Sequence, residues 1–130
     1  MIRSYRELTT WKRAMELAEA IYRATADFPD AERYGLSSQM RRAAVSIVPN
    51  IADGRGRRAT KDFRRFLDIA YGSLCELETQ LLLSERLGLL SEKESRSPTQ
   101  LAMETGRLLN GLRSSLVVRI KRREREARTK

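Results

Sequence analysis

Apolar residues recur along the chain at intervals of three and four, the spacing of helices that each bury one face. The first stripe runs Leu8, Trp11, Ala14, Met15, Ala18, Ile21, Tyr22, Thr25 and Phe28, and Pro29 closes it. A second face, Leu36, Met40, Ala43, Ala44, Ile47 and Ile51, follows Gly35 with Ser37 and Ser38 as cap candidates and Gly54 as a stop. The third stripe begins after Thr60 and runs through Phe63, Phe66, Leu67, Ala70, Leu74, Leu77 and Leu81 to Gly88. It describes a helix about 40 Å long at about 1.5 Å per residue. Ser91-Glu92-Lys93-Glu94 fits a capping box, and a fourth stripe continues through Leu101, Thr105, Leu108, Leu112, Leu116 and Ile120. Pro98 predicts a break or kink near its start. The expected helices are therefore 8–28, 38–53, 61–87 and 92–120. Strand alternation is absent. Short connections favour antiparallel neighbours, so the pattern predicts an all-α, up-down-up-down four-helix bundle over residues 1–120. Residues 121–130, charge-dense and poor in apolar side chains, read as a flexible basic tail.

Two helices carry more apolar surface than one bundle face needs. Val45, Val48 and Ala52 form a line about 80–140° from the main stripe of the second helix, and no charge falls between Ala43 and Ala52. On the third helix Tyr71, Cys75, Leu82 and Leu83 lie off the stripe in the same way. Apolar surface left exposed on that scale marks an interface, and these seven residues are the expected self-association surface. Gly72 and Cys75 are small enough to admit a neighbouring helix, and packing rather than thiol reactivity is the reading for Cys75.

Composition narrows the chemistry. The 130 residues suffice for one domain with its own core. With no histidine, most zinc sites and the Ser-His and Cys-His nucleophile pairs are excluded. A single cysteine forms no internal disulfide, and no apolar run approaches the ~18 residues of a membrane span. The N-terminus lacks the apolar stretch of a signal peptide. A cytoplasmic, non-enzymatic protein without cofactor or metal is expected.

Net charge is +9, and the excess sits in two blocks. Residues 41–65 hold eight basic side chains against two acidic ones, and residues 119–130 hold seven against two. Taken singly, each block also has a plain reading, as a solvated face or a solubilising tail. An up-down-up-down bundle, however, puts the link between its second and third helices at the same end as both termini. The candidate nucleic-acid-binding residues are therefore Arg55, Arg57, Arg58, Lys61, Arg64, Arg65, Arg119, Lys121, Arg122 and Arg123, with Arg3 and Arg6 nearby. Exposed amides at the start of the third helix add about half a positive charge there. Arginine grips phosphate bidentately, and such a pole binds a phosphate backbone whatever its sequence. Gly54-Arg55-Gly56 is no dinucleotide fingerprint, because no strand precedes it.

Other polar residues have structural readings. Arg41 and Arg42 are expected to pair with Glu76 or Glu78, and Asn50 to cover a carbonyl that Pro49 leaves without its donor. Trp11, Tyr22 and Tyr34 read as packing residues before stacking platforms. A carboxylate metal site from Asp53, Asp62, Asp68 and Glu76 is a remote alternative, disfavoured because Asp62 and Asp68 face apart on a helix.

Several stretches carry a resemblance. They are Leu8-x-x-Trp11-x-x-Ala14, Tyr34-Gly35-Leu36-Ser37-Ser38-Gln39-Met40-Arg41-Arg42-Ala43-Ala44-Val45-Ser46-Ile47, Asn50-Ile51-Ala52-Asp53-Gly54, Phe63-x-x-Phe66-Leu67-x-x-Ala70-x-Gly72-Ser73-Leu74-x-Glu76-Leu77-Glu78 and Leu87-Gly88. In order and spacing the chain resembles, over about residues 8–120, the small four-helix bundles encoded in intervening sequences of bacterial large-subunit rRNA genes. It is also similar to the accessory variability determinants of diversity-generating retroelements. Departures are Val48 before Pro49, Asp53 in place of a glutamate, and Pro98. The resemblance implies a ring-like homopentamer with a basic surface and, in the retroelement branch, contacts to a reverse transcriptase and structured RNA. It supplies no catalytic residues. The leading expectation is a non-catalytic, oligomeric accessory protein that binds RNA, and by the same chemistry DNA, through backbone contacts. The alternatives are a protein scaffold for a reverse transcriptase or similar enzyme and, remotely, a metal-dependent nuclease.

Overall fold

The computed structural model describes residues 4–129, and every regular element among them is helical. Four helices dominate: α1 (Thr9–Thr25), α2 (Leu36–Arg55), α3 (Thr60–Arg86) and α4 (Glu92–Thr129). Single 3-10 turns, Tyr5–Glu7 and Asp30–Glu32, precede α1 and α2.

Local hydrogen bonds explain where each helix stops. α1 ends three residues before the apolar stripe does. The Phe28 N–H turns onto Thr25 O, 3.2 Å away, and Phe28 packs on the core from the turn instead. α2 opens at Leu36, because the Glu32 carboxylate accepts the Leu36 N–H at 3.1 Å. Ser37 and Ser38, expected as caps, lie inside its first turn. Gly54 is not the stop either. It lies within α2, where a Cβ would come within 2.9 Å of Phe63 Cδ1 and of Phe66 Cβ; the helix continues to Arg55 and Gly56 caps it. At the end of α3, Gly88 takes a positive φ of 75°. The Leu89 and Gly88 N–H groups then satisfy Ser84 O and Glu85 O at 2.9 and 3.1 Å, a Schellman turn. Ser91 and Glu94 form a reciprocal capping box on α4, with both bonds at 3.0 Å.

In two places α4 is helical where a break and a tail were expected. Pro98 lies inside a helix that runs from Glu92 to Thr129 without interruption. The proline removes one N–H bond near the start, where the capping box and a bond from Ser95 Oγ to Glu92 O (3.2 Å) hold the first turn and the ring is buried. The stretch expected as a tail is helical through Thr129. Arg, Lys, Glu and Ala are good helix formers, and extending an existing helix avoids the nucleation cost. Pro49, likewise inside α2, leaves Val45 O without its usual donor. The Asn50 side chain bonds the next carbonyl, Ser46 O, at 2.7 Å.

Among the described residues the backbone of each helix lies close to two others: α1 packs on α2 and α4, and α3 packs on α2 and α4. The stripes meet in the middle, where Leu17, Ile21, Met40, Ile47, Leu67, Leu74, Leu77 and Leu109 are fully buried. Each such side chain contributes about 1.5–3 kcal/mol by leaving water. Register follows from cross-helix contacts. Gly54 faces Phe63, Ser46 Oγ bonds Ser73 Oγ at 3.0 Å, and Ser84 Oγ lies 3.3 Å from Met40 Sδ. Between α3 and α4, Lys61 meets Glu124, Asp68 meets Arg113, and Leu74 meets Gly106. On both pairs the numbering rises along one helix as it falls along the other. No helix among the described residues is long and apolar enough to cross a membrane.

Candidate nucleic-acid interface

The register brings residues 55–65 of the first basic block to the same end as the second block, and leaves Arg41 and Arg42 beside α1. Arg123 Nη1 donates to Thr60 Oγ1 at 2.7 Å, tying the far part of α4 to the first residue of α3. Lys61 Nζ and Glu124 Oε1 form an ion pair at 3.2 Å one step further on. Around this joint lie two hollows. One, of about 330 Å³, is rimmed by Arg55, Arg57, Arg58, Arg119 and Arg123 over an apolar floor that includes Phe63 and Leu116. The other, of about 430 Å³, gathers Lys61, Arg64, Arg65 and Lys121 with Asp68 and Glu124. Nine of the ten expected binding residues thus surround one joint. Arg122 is exposed but lines neither hollow. Arg3 and Lys130 lie outside the described residues.

Several of these cations are oriented rather than loose. The Arg57 and Arg65 guanidiniums lie 4.8 and 5.4 Å from the centre of the Phe66 ring. Phe66, read from sequence as a plain core position, is half-buried and serves as their platform. Thr60 is a second residue the apolar stripes do not single out: its buried hydroxyl holds Arg123. Asp68 is taken up by Arg113 Nε at 2.8 Å and Arg64 Nε at 3.9 Å. Arg57, Arg58 and Arg119 have no carboxylate partner within ion-pair distance among the described residues. Beyond Glu124, α4 continues past the start of α3 and carries Arg125 and Arg128.

The remaining expected residues are placed differently. No three acidic or thiol side chains among the described residues are arranged to share a metal ion, so the set Asp53, Asp62, Asp68 and Glu76 does not converge. Arg41 pairs with neither Glu76 nor Glu78. Its Nε donates to Thr25 Oγ1 at 2.8 Å and its Nη2 to Tyr22 O at 3.3 Å. Arg42 lines a groove with Glu76 but forms no ion pair among the described residues. Burial pushes the Glu78 carboxyl above its ordinary range. Trp11 packs on the core and edge-on to Tyr5 at 5.5 Å, whereas Tyr22 and Tyr34 are exposed, which corrects their packing role.

Of the expected interface, Val45, Cys75, Leu82 and Leu83 are exposed. Val48, Ala52 and Tyr71 are half-buried, Tyr71 lying under the Arg113 guanidinium at 4.3 Å. Val45 borders α1 residues, and Tyr71 borders α4. Val45 and Tyr71 therefore sit on different flanks of the bundle.

A family model described as 23S rRNA-intervening sequence protein matches residues 6–111. A solved structure of a protein of unknown function from the S23 ribosomal protein family of Bacteroides thetaiotaomicron has the same fold, with a TM-score of 0.73 at 23% identity. That likeness covers 81% of this chain and 98% of the other. No curated protein matches the chain.

Proposed function

Because the chain belongs to the 23S rRNA-intervening sequence protein family, we propose that it is a non-catalytic, oligomeric accessory protein that binds RNA through the pole where α2, α3 and α4 meet. One observation carries this: the Arg123–Thr60 bond and the arginine-rimmed hollow beside it join two basic blocks separated by more than fifty residues of sequence. Cations without carboxylate partners, fixed over Phe66 and along α4, suit phosphates spaced along a backbone. Recognition is by shape and charge, on an antiparallel bundle.

Self-association is part of the proposal. Apolar lines on two flanks let the α2 line of one copy pack on the α3 line of the next; a head-to-tail contact of this kind can close a ring, and a pentamer is the ring the family resemblance implies. A ring would repeat the basic pole around its axis. The scaffold role toward a reverse transcriptase stays the second reading; neither matched description names such an enzyme.

The test is binding of an RNA hairpin, and of a second hairpin of scrambled sequence, over a salt series. Arg57→Ala/Arg58→Ala is expected to weaken both equally and to flatten the slope of log K against log salt by roughly two, about one for each phosphate no longer neutralised. Light scattering on the same samples reads the subunit number. Equal affinity and slope in the double variant would reject the pole.

A further inference from the structure

We infer that the opposite pole holds a second site, a cleft for unpaired nucleotides of a single strand. Its ligand class rests on the RNA-binding reading above, but it uses none of the same residues. The cleft, about 830 Å³, lies between the end of α1, the turn at Asp30–Glu32 and the start of α2. That is within the range of about 300–1,000 Å³ common to small-molecule sites.

Tyr34 stands on its rim with 87% of its surface exposed, and Tyr22 is 46% exposed. The Tyr34 ring stays outside the core cluster, with the Arg33 guanidinium 5.7 Å from its centre. Three cations line the same space, Arg33, Arg41 and Arg42, against one carboxylate, Asp30. None of the three forms an ion pair among the described residues.

Arg41 is the most informative. Thr25 Oγ1 and Tyr22 O hold two of its N–H groups, and the guanidinium lies 4.6 Å from the Tyr22 ring centre. Its anchor is itself fixed, since the buried Thr25 hydroxyl donates onward to Ile21 O at 2.7 Å. Five guanidinium donors less two leave three N–H groups for an anion. Ser37, 9% exposed on the cleft wall, has a hydroxyl with no hydrogen-bond partner among the described residues. A fixed cation, an unengaged hydroxyl and an exposed ring lining one cleft match the parts of one nucleotide: phosphate, sugar and base. Bases stack on such rings only when they are unpaired, so the ligand is a single strand.

The probe is fluorescein-labelled octauridylate, compared with a blunt RNA duplex, on the full chain. Tyr34→Ala is expected to lower octauridylate affinity about fivefold or more, from the loss of one stacked base, while duplex affinity stays as in the wild type. Tyr34→Phe keeps the ring and should retain binding, and Arg41→Gln should lose it with the helical circular dichroism signal intact. Octauridylate binding that is unchanged in Tyr34→Ala overturns the site. So does binding abolished by Arg57→Ala/Arg58→Ala alone, and so does equal competition by an octaglutamate peptide, which would mark a plain anion site. If duplex binding fails while octauridylate still depends on Tyr34, the basic pole falls and the cleft stands.

Discussion

The two ends of the bundle use arginine differently. At the α2–α3 end arginines are numerous and spread along two helices, some resting on Phe66, one tied to Thr60. At the α1–α2 end a single arginine, Arg41, is pinned by two bonds beside a tyrosine, with looser cations around it. Many oriented charges along an edge suit a long polyanion; one fixed charge beside an exposed ring suits one residue of a ligand. The difference arises in the turns. Gly54 brings the backbone of α2 against Phe63 and Phe66 and leaves the following arginines outside, whereas the Asp30–Glu32 turn spends Glu32 on capping α2.

The largest effect should come from closing that tight approach. Gly54→Ala places a Cβ 2.9 Å from Phe63 Cδ1 and Phe66 Cβ, and overpacking of this kind costs about 1–3 kcal/mol. Gly72→Ala in α3 meets nothing within 4 Å and should instead stabilise the folded chain by about 0.5–1 kcal/mol. Urea unfolding of the two variants reads both; equal shifts would mean the α2–α3 end is not specially close-packed. A ring that packs at Gly72 would show the opposite sign there, with loss of mass by light scattering.

Next is the α3–α4 corner, which carries neither ligand surface. Ser91→Ala removes half of the capping box and should cost about 1 kcal/mol of thermal stability while leaving RNA affinity alone. Coupled loss of affinity would mean the corner reaches the pole.

The smallest effect is a pH dependence. The Ser91 N–H and hydroxyl hold the Glu94 carboxyl below its ordinary value of about 4.5. A carboxyl with a lowered folded pKa stabilises fully above that value and loses its contribution as pH falls through the lower folded one. The stability gap between wild type and Glu94→Ala should therefore be widest near neutrality and narrow on acidification below about 4.5. A gap constant with pH would show that the bond does not depend on the charge.

How much of this is legible in the sequence depends on whether one helix or two decide a residue's place. Leu74, Leu77, Ile47 and Met40 are buried because their own spacing puts them on one face, and Ser91 with Glu94 is a purely local device. Arg41 defies a sequence reading because its partner, Thr25, lies on another helix. Which helix it reaches depends on the rotation of α2 against its neighbours, which periodicity does not give. Tyr34 reads as packing because an aromatic ring is usually buried; only the turn between α1 and α2 leaves it outside. The end of α4 misleads for a different reason. Its charge density suggests disorder, but a helix already started at Ser91 extends through good helix formers at little cost. The meeting of the two basic blocks is legible, since it needs only the order of the helices and short connections.

The central claim is that the two blocks act as one surface, and salt dependence tests it most directly. RNA-hairpin affinity should be measured over a salt series for Arg57→Ala/Arg58→Ala, for Arg119→Ala/Arg123→Ala, and for the four changes together. Each double variant is expected to flatten the log–log slope by roughly two, and the quadruple variant by roughly four. A slope that responds to the α2–α3 residues but not to Arg119 and Arg123 would contradict it.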